Sequence, residues 1–199
     1  MSEKRLTREE SQRQTRRKLL NVAAKMFAER GFYDTSVDRI AETAGFSKGA
    51  VYSNFGSKND LFIEVFREHQ QREIRGLKKI IESCETIDEF VQLIEANHEQ
   101  GQTEEQAWSA LKLEFLLHAM RNEETRKKLA ELLQENRQQM EGILQYFYDR
   151  SNISHPLTMK KLAYLLLSLD IGIGIQTFLS GKDIPENTFA DGLDLLLKP

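Results

Sequence analysis

Between residues 47 and 58 the chain carries a cluster of small, hydroxyl-bearing and basic side chains, with no carboxylate among them. The cluster comprises Ser47, Lys48, Gly49, Tyr52, Ser53, Asn54 and Lys58. Hydroxyl, amide and ammonium groups can donate hydrogen bonds to phosphate oxygens and to base edges in a groove. A surface of this composition suits contact with a nucleic-acid duplex.

Three helix starts are predicted in and around this cluster. Thr35 with Asp38, and Ser57 with Asp60, match the capping-box pattern, and Ser47 stands directly before another helical segment. A helix amino terminus exposes unpaired N–H groups and a partial positive charge, which together favour a bound phosphate. The stretch is therefore expected to present several phosphate-binding helix ends.

Ala41, Gly45 and Val51 have the spacing of a helix-turn-helix. Counted from Val37, they occupy positions five, nine and fifteen. The small alanine suits close helix packing, the glycine suits a turn with positive φ, and the valine lies inside the second helix. Residues 36–55 are predicted to form the element that places a helix in the major groove.

The segment GFYDTSVDRIAETAGFSKGAVYSNFGSKNDLF, with the preceding AAKMFAERG, resembles the amino-terminal module of the TetR/AcrR family of bacterial transcriptional regulators. The resemblance covers about residues 13–66. It rests on the Gly-Phe/Tyr–Thr–Ser/Thr entry, the Ala-Gly-x-Ser-Lys-Gly turn, the Tyr-x-x-Phe exit, and the following Lys and Leu-Phe. It implies an all-α, nine-helix architecture. A DNA-binding domain would span residues 1–57, its family module extending to about residue 72, and a regulatory and dimerisation domain would span residues 58–199.

The resemblance also implies DNA contacts at nine positions. These are Thr35, Ser36, Ser47, Lys48, Gly49, Tyr52, Ser53, Asn54 and Lys58. Thr35 and Ser36 would hold a phosphate at the entrance to the first helix of the motif. Lys48 would open the recognition helix, and Tyr52 and Lys58 would bind neighbouring phosphates.

The charge distribution agrees with DNA binding through one end of the molecule. The 199 residues have a net charge of −3, which alone argues against a nucleic-acid-binding protein. However, residues 1–60 hold 12 Lys and Arg against 8 Asp and Glu, whereas residues 61–199 hold 16 against 23. A basic amino-terminal part, here residues 1–60 and called the head, followed by an acidic part, here residues 61–199 and called the body, is typical of a protein that binds DNA through one end. Residues 1–18 are too polar for an export signal, so a cytoplasmic location is expected.

Helical periodicity continues through the rest of the chain, and no segment requires a strand. A polar arm is expected over the first dozen residues. Outside the helix-turn-helix, helices are predicted at about 13–30, 57–83, 86–99, 104–121, 123–150, 156–181 and from 185 to the end.

A homodimer is expected, because a module this small binds DNA weakly alone and a second copy at fixed spacing multiplies affinity. Residues 162–179 are apolar nearly all round, and in the family the equivalent helices build a four-helix dimer bundle. The predicted interface is Leu162, Leu166, Leu169, Asp170, Ile173, Phe189, Leu193 and Leu196. The alternative is that this run fills the core of the monomer.

The resemblance further implies a cavity in the body, where a small molecule shifts the dimer geometry and weakens DNA binding. The candidate lining is Phe90, Ile94, Trp108, Phe115, His118, Met140, Leu144, Phe147, Tyr164 and Gln176. Aromatic and methionine residues at helical spacing are also typical of an ordinary core.

The leading hypothesis is a ligand-responsive repressor that binds a palindromic operator in double-stranded DNA. The alternatives are an activator of the same fold and a helical scaffold that does not bind DNA. The sequence has no nucleophile elbow, phosphate loop or paired-carboxylate pattern, so an enzyme is not expected. No metal site or cofactor is predicted, because the four histidines lack ligand spacing. The apolar run 163–179 is expected to fall short of a bilayer span, and no membrane partner is predicted.

Overall fold

The structure, a computed structural model, describes residues 7–180 and 183–199, with the backbone alone at residues 97–106. This part of the chain contains eight α-helices and no strand. They are α1 (Arg8–Arg30), α2 (Val37–Ala44), α3 (Lys48–Phe55), α4 (Lys58–Ser83), α5 (Ile87–Met120), α6 (Glu123–Ser151), α7 (Met159–Ser180) and α8 (Thr188–Leu197). The predicted all-α fold class is confirmed.

The first helix begins earlier than predicted. It starts at Arg8, because the Thr7 side chain accepts a hydrogen bond from the Glu10 backbone while the Glu10 carboxylate accepts one from the Thr7 backbone. This reciprocal pair is a capping box that the sequence analysis overlooked. The expected polar arm is therefore wrong from residue 7 onward, and residues 1–6 lie outside the described residues.

The predicted break between residues 99 and 104 is wrong, because a single helix of 34 residues, α5, runs through it. Gly101 lies inside this stretch, and an interior glycine costs a helix only about 1 kcal/mol relative to alanine, which is too little to end a long helix. Two other starts are later than predicted: α7 and α8 each begin three residues after a proline.

A first core joins α1, α2 and α3 to α4, α5 and α6. At its centre the rings of Phe32, Phe62 and Phe115 meet, with centroid separations of 4.1–5.4 Å. The loop after α1 is also held by hydrogen bonds, because the Glu114 carboxylate of α5 accepts from the backbone N–H groups of Phe32 (2.8 Å) and Tyr33 (2.9 Å). These hydrogen bonds fasten the loop between α1 and α2 to α5.

A second core lies at the far end of the body, between α4, α5, α6, α7 and α8. It includes the buried residues Ile81, Phe90, Leu144, Phe147, Leu162 and Leu197. The buried Tyr148 hydroxyl donates a hydrogen bond to the Leu197 carbonyl at 2.5 Å, so neither buried polar group is left without a partner. The carboxyl-terminal helix is thereby fixed against α6.

By length and composition, α7 could cross a membrane, with 22 residues and a mean hydropathy of 1.7. The expectation that it falls short of a span is wrong. Only 22% of its apolar window is buried inside the monomer. Its contacts with α5, α6 and α8 nevertheless place it within a helical layer of the body, with one face left uncovered.

Candidate functional site

The sequence-predicted helix-turn-helix is present as α2, a tight turn and α3. Gly45 ends α2 in the left-handed conformation with φ 76°, and the Phe46 N–H donates to the Ala41 carbonyl at 2.8 Å. Such a turn requires positive φ, which glycine adopts without steric cost. As predicted, Ser47 caps α3 by accepting from the Ala50 N–H.

Thr35 does not have the role that the resemblance implied. Its side chain is 0% exposed, and its hydroxyl donates to the carbonyls of Met26 (3.1 Å) and Gly31 (2.7 Å). The hydroxyl is therefore unavailable to a phosphate and instead fastens the end of α1 to the start of α2. The residue that caps α2 is the next one, Ser36, whose exposed side chain accepts from the Arg39 N–H.

The outer face of α3 is open to solvent. Ser47, Lys48, Gly49, Tyr52 and Ser53 are all exposed, and Tyr52 has an exposed fraction of 43%. Val51 and Phe55 point the other way, into the core. Since Gly49 has no side chain, the first turn of α3 could approach another surface closely.

The only charged side chain on that face of α3, within the described structure, is held loosely. The Lys48 ammonium lies 2.8 Å from the Asp38 carboxylate of α2, and both side chains are more than half exposed. The hydrogen bond and the charge of Asp38 raise the pKa of Lys48. Solvent screens an exposed pair of this kind, so a phosphate could displace Asp38 at little cost.

Two other predicted contacts are engaged by their own helix. The Ser53 hydroxyl and the Asn54 amide nitrogen both donate to the Ala50 carbonyl, at 3.0 and 2.8 Å. Ser53 is exposed, and its oxygen can still accept a hydrogen bond, whereas Asn54 is half-buried. Of the two, Ser53 is the better placed to contact a ligand.

Lys58 lies against the loop that follows α1. Its ammonium donates to the Tyr33 carbonyl at 3.3 Å and sits 4.5 Å from the centre of the Phe32 ring. Partial burial lowers the pKa of Lys58, although the charges of Glu114 and Asp34 oppose that shift. A contact with phosphate would require this ammonium to turn away from Tyr33.

Sequence analysis missed the residue that holds α3 in place. Arg16 of α1 donates to the Asn54 carbonyl at 2.6 Å and to the Glu64 carboxylate of α4 at 2.7 Å, and its guanidinium covers the Phe55 ring. A cation is favoured at the carboxyl end of a helix, where carbonyl groups lack partners. In the sequence Arg16 is indistinguishable from its basic neighbours Arg13 and Arg17.

The body contains two adjoining cavities, of about 220 Å³ and 180 Å³, here called the inner and the outer cavity. Both are bounded by Glu73, Asn136, Leu167 and Asp170. Of the ten predicted lining residues, Phe90, Ile94, Met140 and Leu144 line the inner cavity and Tyr164 lines the outer one.

The other predicted lining residues lie elsewhere. Phe115 and His118 pack around Phe32 in the joint between head and body, and Trp108 stacks on His69 with ring centres 3.9 Å apart. These three were misplaced because helical spacing shows which face is apolar but not which core the face enters. Phe147 is buried in the second core, and Gln176 is exposed and lines neither cavity.

The predicted dimer interface is largely occupied within the monomer. Four of its residues, Leu162, Leu166, Ile173 and Leu193, are buried in the chain's own core, and Leu169 and Leu196 are half-buried. Asp170 and Phe189 line the inner cavity. The prediction is therefore wrong for the four buried residues, because their side chains pack inside the chain's own core. For the other four residues, a role in a dimer interface stays a prediction.

Other large apolar side chains of α7 and α8 are left exposed, and two of them, Tyr164 and Ile171, also border the outer cavity. The exposed side chains are Tyr164, Leu165, Ile171, Phe178, Leu179 and Leu195. Gly172 lies next to Ile171 on α7, and a methyl group added to it would meet no atom within 4 Å. Leu179 is 74% exposed and Leu195 is 82% exposed, which is unusual for two leucines on neighbouring helices of a monomer.

The described residues include no group of three or more His, Cys, Asp or Glu side chains placed to hold a metal ion. A third concavity, of about 890 Å³, lies between α1 and α4 and has a basic rim that includes Arg13, Arg17, Arg72 and Arg75. Sequence analysis had no signal for it, because it depends on the angle between two helices.

Comparison with known proteins gives a consistent result. Residues 19–65 match the family model described as bacterial regulatory proteins, tetR family. The chain is 28% identical over 190 residues to the HTH-type transcriptional regulator UidR of Escherichia coli strain K12, covering 92% of this chain and 91% of that protein.

Solved structures share the fold at lower identity. Salmonella enterica GusR superposes with a TM-score of 0.69 at 23% identity, covering 98% of this chain and 97% of that one. The transcriptional regulator FadR from Bacillus subtilis, in complex with stearoyl-CoA, gives a TM-score of 0.68 at 21% identity, covering 92% and 97%.

Proposed function

Because the chain belongs to the TetR family of bacterial regulatory proteins, we propose that it is a cytoplasmic, ligand-responsive repressor that binds a palindromic operator as a homodimer. The observation that supports this most directly is α3 itself. It is an eight-residue helix fastened on its inner side by Val51, Phe55 and Arg16, and its outer face carries Lys48 and Tyr52 with no carboxylate.

We propose that α3 enters the major groove. Lys48 and Gly49 would face base edges and backbone at its first turn, and Tyr52 and Ser53 would bind phosphates one turn later. Ser36 and Ser47, at the exposed amino ends of α2 and α3, would hold phosphates of the two strands. Asn54 and Lys58 would contribute less to DNA binding, because the Asn54 amide and the Lys58 ammonium already donate hydrogen bonds within the protein.

The two proposed domains would follow one another along the chain. Residues 1–57 would form the DNA-binding domain, and residues 58–199 the regulatory and dimerisation domain. We propose that the exposed apolar side chains of α7 and α8 contact the same surface of a second copy. In such a symmetric interface each leucine is buried in both subunits. The inner and outer cavities would receive the effector.

Selection of bound sequences from a random DNA pool by the purified protein tests the proposal. The expected result is an inverted repeat whose half-sites lie about one helical turn apart, as two α3 helices on one face of the duplex require. Lys48→Met should abolish enrichment, and Lys127→Met, on the exposed face of α6, should leave it unchanged. Failure of the wild-type protein to enrich any sequence at low ionic strength would refute DNA recognition.

A further inference from the structure

The hollow between α1 and α4, here called the basic groove, plays no part in the proposed function. It measures about 890 Å³, against about 220 Å³ for the inner cavity. Six of the side chains that line it are basic and two, Glu29 and Glu68, are acidic. Since the whole chain has a net charge of −3, the groove is a local concentration of cations on an acidic protein.

Five of the six cations are available to a ligand. They are exposed, and none of them forms an ion pair or a hydrogen bond with any residue that the structure describes. Two helices supply them: Arg13, Arg17 and Lys25 lie on α1, and Arg72 and Arg75 lie on α4. Because like charges around one hollow repel one another, a bound anion would relieve a repulsion that the free protein carries.

Four of these five side chains are arginines, which narrows the class of anion. A guanidinium offers a planar fork of N–H donors that matches two oxygens of a phosphate or a carboxylate, and it stays charged at neutral pH. A single exposed arginine is ordinarily hydrated and nothing more. Arginines from two helices around one hollow can bind several phosphate oxygens of the same molecule.

The floor of the basic groove is apolar. The buried residues Leu20, Val65 and Trp108 line it, together with the half-buried Ala24 and Ala28. A rim of cations around an apolar floor fits a ligand in which an aromatic or other apolar part is joined to an anionic part. An inorganic anion alone would leave the floor in contact with water.

Part of the basic groove lies far from the recognition helix α3. Arg72 and Arg75 are about 20–25 Å along α4 from Lys58, the residue at which that helix begins, at a rise of 1.5 Å per residue. A duplex also presents a convex row of phosphates, which could touch the cations of the rim but not the buried floor. A small molecule can contact both.

We propose that the basic groove binds an organic polyphosphate, a molecule in which an aromatic ring system is joined to two or more phosphate groups. The ring would lie on the floor beside Trp108, and the phosphates would accept hydrogen bonds from Arg17, Arg72 and Arg75. The groove is separate from the inner and outer cavities, so the protein would respond to a second compound besides the effector proposed for those cavities.

Binding in the basic groove would affect α3 through Arg16, the sixth cation. Arg16 lines the groove, and it already donates to the Asn54 carbonyl at the end of α3 and to the Glu64 carboxylate. A phosphate nearby would compete with both acceptors for the guanidinium and would loosen α3. Operator affinity should therefore fall when the groove is filled. This consequence rests on the proposed DNA binding, whereas the site itself does not.

Adenosine triphosphate, adenosine and inorganic triphosphate separate the two parts of the proposed ligand. Binding to the full-length protein is measured without DNA, by calorimetry and by the fluorescence of Trp108, the single tryptophan of the chain. We expect one molecule of adenosine triphosphate to bind per chain, at least about tenfold more tightly than adenosine or triphosphate, because only the whole molecule contacts rim and floor. No saturable binding of adenosine triphosphate, or equally tight binding of triphosphate, would overturn the proposal.

Arg72→Gln/Arg75→Gln tests the position of the site, with Lys78→Gln/Lys79→Gln as the matched control. Both double variants remove two positive charges from α4, but Lys78 and Lys79 do not line the groove. The first should lower the affinity for adenosine triphosphate about tenfold or more, and the second less than about twofold. An equal loss in both would show that only the overall charge of the chain attracts the anion, which would refute a defined site.

The same variants distinguish a small phosphate compound from the phosphates of DNA. Operator affinity is measured by fluorescence anisotropy over a range of salt concentrations. Arg72→Gln/Arg75→Gln should leave the slope of log affinity against log salt unchanged. Each lost DNA phosphate contact would instead flatten that slope by about 0.9, and this result would assign the groove to DNA and overturn the proposal.

The coupling to α3 is measured with the selected operator and the wild-type protein. Saturating adenosine triphosphate should raise the operator Kd about threefold or more, and Arg72→Gln/Arg75→Gln should show no such rise. Nucleotide binding with an unchanged operator Kd would refute the coupling through Arg16 alone. Nucleotide binding by a protein that binds no DNA sequence would refute the proposed function and leave the site standing.

Discussion

Tyr52 is the residue whose position best distinguishes a DNA contact from a structural role. Its ring lies on the exposed face of α3, one turn beyond Lys48, and the hydroxyl makes no hydrogen bond to another described residue. A phenol placed there can donate to a phosphate without losing any contact inside the protein.

Tyr52→Phe should therefore weaken operator binding about three- to tenfold and leave Tm unchanged, because one hydrogen bond to a charged oxygen is removed and no core contact is lost. Anisotropy titration and thermal melting measure the two quantities. Tyr146→Phe, at an exposed tyrosine of α6, is the control and should change neither. A parallel fall in affinity and Tm would show that the Tyr52 hydroxyl supports the fold.

Thr35 gives the opposite prediction. Thr35→Val should lower the free energy of unfolding by about 1–2 kcal/mol, because the carbonyls of Met26 and Gly31 lose a buried donor. Thr35→Ser keeps the hydroxyl and should lose less. Urea unfolding measures both. If Thr35→Val retained full stability but lost DNA affinity, the phosphate contact implied by the family resemblance would be reinstated.

At the scale of elements, an ionic network links the body to the recognition helix. Glu135 of α6 pairs with Arg67 of α4, Arg67 lies 3.4 Å from Glu64, and Glu64 pairs with Arg16, which holds the carboxyl end of α3. The next residue after Glu135 is Asn136, which borders both cavities. The cavity wall and α3 are thus connected through α6, α4 and α1.

Arg16→Met should weaken operator binding about three- to tenfold through misplacement of α3, without altering the salt dependence. A true phosphate contact would instead flatten the slope of log affinity against log salt by about 0.9. Arg13→Met, on the same helix and without an ion pair to any residue that the structure describes, is the control. A fall in slope for Arg16→Met would place its guanidinium on the DNA.

The sequence predicted where the helices begin and end better than how they pack against one another, because caps and turns are local whereas packing is not. Ser47, Ser57 and Gly45 act through hydrogen bonds and φ values within a few residues, so their roles are legible in the sequence. The destination of Trp108 depends on the angle at which α5 crosses α4, and the partner of Arg16 is 48 residues away. Neither leaves a local pattern that a single sequence can show.

At the scale of the molecule, the apolar composition of α7 must be reconciled with its partial burial in the monomer. It is apolar nearly all round, yet only part of it is buried in the monomer. The buried side packs on α5, α6 and α8 and borders the cavities, and the opposite side is uncovered. The monomer-core interpretation therefore applies to the buried face, and the dimer-interface interpretation stays a prediction for the exposed face.

Leu195→Glu should convert the proposed dimer into monomers, because Leu195 is 82% exposed in the monomer and would be buried twice in a symmetric interface. Burying a leucine contributes about 1.5–3 kcal/mol per copy, so the dimer Kd should rise by at least about 100-fold. Sedimentation equilibrium measures that constant. Leu117→Glu, at a half-exposed leucine of α5, should leave it unchanged. A Leu195→Glu protein that remained dimeric would show that the dimer interface does not include this part of α8. If the variant were monomeric but bound a single half-site as tightly as the wild type, dimerisation would raise operator affinity only by supplying a second DNA-binding domain.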